Sequence, residues 1–392
     1  MPKKARPRTK AKPKSKTKPK SKPKAKPRPK AKPKPKPRPK PVPKPVPPPK
    51  PPKPVPGGGG GGGGGGPVPG PIQHVVFLIK ENHCFDNYFG TFPGANGAKL
   101  PHSPNPPTQD PNHTHGHWLT RKTTAVAQQF LEADIPAYFS YARQFTLCDN
   151  YYTDVAGPST PNHLMLIAGD SPVIDNPHGG YRGGPNAPLF NLPSLPASLD
   201  QAKLTWRNYN GYAFQYIKGL VGKNKFTQQQ FAVDAAAGNL PNVSWVYSDH
   251  PESEHPRDPT DPANPLIGNV THGMQWTVNQ VNAIVQGGLW PSTAIFITWD
   301  DWGGWLDHVD PPNVESWPAD GTQFRYGSRV GCLALSPYAK AGFISHALHS
   351  HVSLLKFCAT QFKLAPVNQR VSQSDGMTDC FDFTQKPLPP PK

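Results

Sequence analysis

The sequence predicts an α/β fold, a central mostly parallel sheet flanked by helices, preceded by a disordered basic N-terminal tail. Three observations carry this. Short apolar runs of buried-strand length alternate with segments of helical spacing. About 310 residues, from Pro71 to Phe383, have ordinary globular composition, enough for one large core. The charge is segregated. Residues 1–56 hold 23 of the 43 Lys and Arg and none of the 25 Asp and Glu, so the formal +18 of the chain resides in the tail and the remainder carries about −5.

The elements follow in order. Ile72–Ile79 is β-branched and apolar, the pattern of a strand buried on both faces. Ala125–Phe145 has helical spacing interrupted at Pro136, and Asn162–Ala168 reads as a helix after Pro161. Leu192–Ala202 reads as helix, then Thr205–Tyr209 and Val243–Tyr247 as strands. Gln275–Gln286 is a helix with Trp276, Val278, Val281, Ile284 and Val285 as its apolar positions. Thr293–Trp299 and Val330–Leu335 are further buried strands, and Val352–Phe362 a closing helix. Leu100–His117, Ile174–Pro193 and Pro251–Asn269 fit no regular element, and loops of that length in a compact domain serve function or are disordered.

The chain divides into a Lys/Pro-rich tail (1–56), a Gly-rich linker (57–70), a folded domain (71–384) and a short C-terminal tail (385–392). Proline at every second residue removes donors and fixes φ, so the tail forms neither helix nor sheet. An extended polyproline II chain of that length reaches roughly 170 Å. Such an arm is expected to contact nucleic acid or anionic membrane nonspecifically, through counterion release. The plainer alternative is a solubilising spacer. No apolar run approaches the roughly 18–20 residues of a membrane span, which excludes a polytopic membrane protein. No signal peptide is visible, so the sequence as written reads as cytoplasmic and leaves the location otherwise unknown. The five cysteines, Cys84, Cys148, Cys332, Cys358 and Cys380, form no CxxC pair, so neither a disulfide framework nor a cysteine zinc site is expected.

Ligand groups in an open α/β sheet collect beyond the carboxyl ends of strands. The strand Ile72–Ile79 runs into Glu81 and Asn82, and Thr293–Trp299 runs into Asp300 and Asp301. Together these form a hard-oxygen set suited to one or more divalent cations. Two neighbouring carboxylates are costly unless a cation or proton neutralises them. Ser159 stands before a predicted helix in Gly157-Pro158-Ser159-Thr160-Pro161. Helix capping is the ordinary role for such a residue. The functional one is a nucleophile activated by metal, beside a helix N-terminus that favours phosphate. His113, His115, His117, His250, His255, His272 and His308 supply candidates for protonating a leaving group or binding a phosphoryl oxygen. Spacing alone does not choose among them.

These motifs resemble those of the bacterial phospholipase C and acid phosphatase family of phosphoesterases. Five blocks occur in order over nearly the whole body: IQHVVFLIKENHCFDNYFG at Ile72–Gly90; FTLCDNYY followed by GPSTPNHLMLIAG at Gly157–Gly169; Ser-Glu-His-Pro at 253–256; ITWDDWGGWLDHVDPP at Ile297–Pro312; and SPYAKAGFISHALHSHVSLLKF within Arg329–Phe357. The resemblance implies a fold like the alkaline phosphatase superfamily and hydrolysis of phosphate esters through a metal-activated hydroxyl. It implies Glu81, Asn82, Asp300 and Asp301 as metal ligands, with Ser159 as both ligand and nucleophile. It implies His113, His255 and His308 around the phosphoryl group, with His272 a further candidate. The substrate is then a phospholipid phosphodiester or a soluble phosphomonoester, and no obligate protein partner is expected. Relatives of this kind are often exported.

Departures from the family pattern are Cys84 for a serine, Asp301 where many members carry Glu, Trp302 for a small residue or His, and Ser159 rather than Thr. An exposed Cys84 would be redox-sensitive; a buried one is a packing change. The chain ends soon after Phe383, so the expectation is a minimal catalytic domain with an arm. Trp302, Trp305, Tyr181 and Tyr212 either line an apolar or choline-binding pocket or belong to the core. The alternative class is a polyanion-binding protein dominated by its tail, with a weak enzyme attached. The intact ligand set argues against that class.

Overall fold

A computed structural model describes residues 71–177, 187–258, 260–312 and 326–392. The tail, the linker and Tyr181 lie outside the described residues. The strands are β1 His74–Lys80, β2 Thr146–Cys148, β3 Tyr151–Tyr152, β4 Trp206–Tyr209, β5 Lys225–Phe226, β6 Val243–Tyr247, β7 Thr293–Trp299, β8 Cys332–Leu335, β9 Phe343–Ser345 and β10 His349–Ser350. The α-helices are α1 Phe85–Phe89, α2 His115–Leu119, α3 Arg121–Thr124, α4 Pro136–Gln144, α5 Ser159–Ala168, α6 Leu195–Gln201, α7 Gln228–Ala236, α8 Val270–Gln286, α9 His351–Gln361 and α10 Gln369–Gln373.

Eight strands form one sheet in the order β5-β4-β6-β1-β7-β8-β2-β9, and β3 pairs separately with β10. Within the large sheet every pairing is parallel except the two made by β8. β1 and β7 lie side by side at its centre and are buried almost throughout, which is why their sequences are continuous apolar runs without alternation. The longest helix, α8, buries Val270, Met274, Thr277, Val281 and Ile284, a three-to-four-residue stripe. Its N-cap Asn269 accepts the His272 N–H.

The helix expected over Ala125–Phe145 is confined to Pro136–Gln144, because proline at the first helical position starts this helix. The run Val330–Leu335 is a strand only over Cys332–Leu335. Residues 385–392 contain no helix or strand but lie against the body. Leu388 N–H donates to Pro337 O, and the Trp290 indole N–H to Leu388 O at 3.0 Å. No helix among the described residues is long and apolar enough to cross a membrane.

Two polar networks are buried beneath the sheet edge. Arg329, fully buried, contacts Asp86 Oδ1 at 3.1 Å and Asp307 Oδ1 at 3.1 Å, and donates to the carbonyls of Asn96 and Asp149. Asp154 accepts the Val352 N–H at 3.0 Å in the first turn of α9. Burial pushes the Asp154 carboxyl up to about 7. That lies above the unfolded value of about 3.9. The contribution of Asp154 to stability is therefore fully present below about pH 4 and is lost as pH rises towards 7. Asp154→Asn retains an acceptor and cannot ionise. The variant is expected to gain stability relative to the parent by roughly 1.4 kcal/mol per pH unit across that window. Urea denaturation at several pH values checks this; parallel pH profiles for the two proteins would refute it.

Candidate active site

The pairing of β1 with β7 sets the site. Lys80 faces Trp299 at the carboxyl ends, so Asn82 and Asp300 leave the sheet as neighbours. Asp300 N–H donates to Lys80 O at 3.0 Å, and Asn82 N–H donates to Asp300 Oδ1 at 3.1 Å. Asn82 makes this turn at φ +67°, a conformation asparagine tolerates better than most side chains. Gly303, at φ +59°, passes so close that a Cβ there would stand 2.0 Å from Asn82 O. Its N–H donates to Asp301 Oδ1 at 2.7 Å and aims that carboxylate.

Ser159 opens α5, and its hydroxyl donates to Asp301 Oδ2 at 3.0 Å. The turn before it is clamped by Asn162. Asn162 Oδ1 accepts the Val155 N–H, and Nδ2 lies within donating distance of the carbonyls of Val155, Gly157 and Pro158. Gly157 admits no side chain, since a Cβ would meet Ile174 O at 2.3 Å. One helical turn on from Ser159, His163 Nε2–H donates to Asp300 Oδ2 at 3.0 Å. His351, at the start of α9, donates Nε2–H to Asp300 O at 2.8 Å and meets Tyr151 Oη through Nδ1. The sequence reading missed both histidines. The signal for His163 was its four-residue spacing from Ser159 on one helix face.

Three loops bring further groups. His113 Nε2 accepts from Asn82 Nδ2 at 3.2 Å, with Nδ1–H donating to Pro111 O. The His255 ring lies 5.9 Å from that of His113 and 5.2 Å from that of His250. The His255 loop is anchored by Glu254, whose buried carboxylate accepts from Tyr88, Tyr138 and the Trp299 indole and lies 3.5 Å from Lys80 Nζ. Glu81, half-buried, lines a cavity of ≈ 150 Å³ with Tyr212, Tyr247, Asp249, His250 and Ser253.

The remaining candidates have other partners. His308 bonds Asp86 at 2.6 Å and Asn96 at 3.2 Å, in the Arg329 network. His115 supports the Ser159 turn through Ala156 O, His117 contacts Thr114, and His272 lies 3.7 Å from Glu252. Trp302 and Trp305 are buried and hold backbone, donating to His113 O and Asn82 O. Cys84 is buried with its thiol on Leu306 O, a packing position.

Burial, then the charge of adjacent Asp300, pushes the Asp301 carboxyl well up. Burial works the same way on Asp300, but the bond and charge of His163 and the Asn82 N–H outweigh it and hold Asp300 down. Burial opposes a proton on His113, yet Asp301 and then Asp110 raise its affinity. The buried polar atoms here with no hydrogen-bond partner include Asn82 Oδ1 and His163 Nδ1. An orphaned amide oxygen beside two adjoining carboxylates is what a hard divalent cation satisfies. The donor set therefore fits a cation held by Asn82, Asp300, Asp301 and Ser159, while Glu81 lines the cavity with Tyr247 and Asp249. Among the described residues, Glu81, Asp300 and Asp301 do not belong to any of the three Cys/His/carboxylate groups whose ligand atoms all lie within 4.8 Å of one another.

Residues 72–116 and 100–365 match the model of the phosphoesterase family. A non-hemolytic phospholipase C of Pseudomonas aeruginosa is 26% identical over 409 residues, covering 80% of this chain and 57% of that protein. Phospholipase C A of Mycobacterium tuberculosis is 26% identical, covering 82% and 80%. Non-specific phospholipase C5 of Arabidopsis thaliana is 25% identical, covering 66% and 53%. The chain thus spans little more than half of the Pseudomonas and Arabidopsis relatives. Murine ectonucleotide pyrophosphatase / phosphodiesterase 5 superposes with a TM-score of 0.47 and 9% identity, covering 79% of this chain and 100% of that one.

Proposed function

The chain belongs to the phosphoesterase family, and from that premise we propose that it cleaves phosphodiesters of the phospholipid class through nucleophilic attack by Ser159. The observation that carries this is the bond from Ser159 Oγ to Asp301 Oδ2 at the N-terminus of α5. Ionised, as a bound cation would keep it against its burial, Asp301 Oδ2 accepts the hydroxyl proton as Oγ becomes nucleophilic. The helix N-terminus favours the anionic phosphoryl group. His163 and the Asn82 N–H keep Asp300 ionised and fixed. Nδ1 of His255 is committed to Pro256 O at 2.7 Å, which keeps Nε2 for the substrate in this reading. His113 or His255 protonates the leaving alcohol. A divalent cation, when bound by Asn82, Asp300, Asp301 and Ser159, supplies Lewis-acid polarisation and lowers the pKa of the hydroxyl. The products of the first step are the free alcohol and a phosphorylated Ser159, which water then hydrolyses.

The relatives' names point to phospholipid substrates. The basic tail would add electrostatic attraction to an anionic surface. A panel of phosphatidylcholine vesicles, anionic vesicles and a soluble phosphomonoester, with and without chelator, tests the reading. Hydrolysis of the lipids, lost on chelation and restored by divalent metal, is expected. Added salt should slow turnover on anionic vesicles and spare the soluble ester. Exclusive hydrolysis of the monoester would reject the lipid assignment, and undiminished rates in chelator would reject the cation.

A further inference from the structure

We propose that Cys148, Cys380, His349 and Asp379 form a second metal site, for a thiophilic divalent cation of the zinc class. This site is separate from the phosphoesterase centre. Its ligands come from the end of β2, from β10 and from the 378–380 turn, with no CxxC spacing to mark them.

Four of the six ligand separations approach those of tetrahedral coordination. Bonds of about 2.3 Å to sulfur and about 2.0–2.1 Å to nitrogen or oxygen place ligand atoms roughly 3.3–3.8 Å apart. Cys148 Sγ lies 3.6 Å from Cys380 Sγ, and Cys380 Sγ lies 3.9 Å from His349 Nε2. Asp379 Oδ1 is 3.2 Å from His349 Nε2 and 3.5 Å from Cys380 Sγ. Cys148, His349 and Cys380 converge within 4.8 Å of one another and are all buried.

The surroundings are those of a ligating histidine. Asp375 Oδ1 stands 2.8 Å from His349 Nδ1, the nitrogen facing away from the thiols, at ion-pair distance though out of line for a hydrogen bond. A carboxylate on the second ring nitrogen fixes the orientation of metal-bound imidazoles and raises their basicity. The Asp375 and Asp379 side chains are 38% and 31% exposed, which gives an ion a path to ligands otherwise sealed from solvent. Ser345 Oγ lies 2.9 Å from His349 Nε2 and bonds Asp379. Binding of M²⁺ releases one proton from each thiol and the one on Nε2. The product holds two thiolates, one neutral imidazole and one carboxylate.

The site has a structural consequence. His349 is two residues from His351, which holds the Asp300 carbonyl. A cation here would pin the 378–380 turn and β10 to β2, and so brace the segment behind Asp300.

Cobalt(II) titration of the reduced full-length protein tests the proposal, with absorbance as the readout. The residues of the phosphoesterase centre include no sulfur, so thiolate-to-cobalt charge-transfer bands report this site alone. One equivalent giving those bands, displaced by zinc, is expected. Cys148→Ser and Cys380→Ser should each abolish or strongly reduce them, and Asp375→Asn should weaken cobalt binding by about 10- to 100-fold. Absence of thiolate bands in the unmodified protein would overturn the proposal, whatever the variants do. So would bands that survive both serine variants, or a Cys148–Cys380 disulfide found by mass spectrometry in metal-replete protein.

Discussion

Ser159→Ala is expected to abolish phosphate-ester hydrolysis, by on the order of 10⁴-fold or more, while the protein stays folded. The size of the loss follows from the role: a covalent route disappears with its nucleophile, and the groups that assist it have nothing left to assist. The mild effect on the fold follows from position. Ser159 is the first residue of α5, and its neighbour Pro158, as N-cap, makes no side-chain capping bond that the substitution removes. Alanine is a better helix former than serine. What is lost is one hydrogen bond to Asp301, leaving a buried carboxylate short of a donor, at a cost of about 1–3 kcal/mol. Activity on a phospholipid and thermal unfolding, measured side by side, check both halves. A variant that keeps near-normal turnover would remove Ser159 from the chemistry.

Arg329→Met should have the largest effect on stability. Arg329 is fully buried, its guanidinium lies between Asp86 and Asp307, and it stacks over the Phe85 ring at 4.3 Å. Removing one partner of a buried ion pair costs about 3–5 kcal/mol because the other charge is left uncompensated. Here two carboxylates are left. Burial already pushes Asp307 up to about 6 despite the arginine. Its folded pKa therefore lies above the unfolded one, and its contribution is present at acid pH and lost as pH rises through about 6. Without the guanidinium that loss deepens, so the variant should be least stable relative to the parent at neutral pH and recover partly near pH 5. Denaturant unfolding at the two pH values checks this. A change of less than about 1 kcal/mol at pH 7 would show that the network carries little of the fold.

The parts of the fold legible in the sequence were those in which one physical signal dominated. β1 and β7 were readable because strands buried on both faces leave unbroken apolar runs, and the same residues placed Glu81, Asn82, Asp300 and Asp301 at strand ends. β2 and β9, three residues each, are too short to show a period and are fixed by sheet pairing. Helix α7 opens with Gln228-Gln229-Gln230, whose polarity hides the Phe231 and Ala235 contacts that hold it. Around the site, Ser159 stood out through its turn, and His113 now lies against Asn82. The bonds of His163 and His351 to Asp300 were not legible because Asp300 is distant in sequence, and only the spacing of His163 from Ser159 hinted at the first. His308 follows a carboxylate in the motif, but its neighbours Asp86 and Asn96 come from the chain after β1.

In the proposed mechanism the Ser159 oxygen attacks phosphorus before water does. The stereochemical course at phosphorus tests this most directly, because it does not require the intermediate to accumulate. A phosphodiester made chiral with sulfur and oxygen isotopes is hydrolysed in labelled water, and the configuration of the product is read by NMR. Two successive in-line displacements, first by Ser159 and then by water, give overall retention. Inversion would mean that water strikes the substrate directly, and Ser159 would then be no more than a helix-terminal hydroxyl bonded to Asp301.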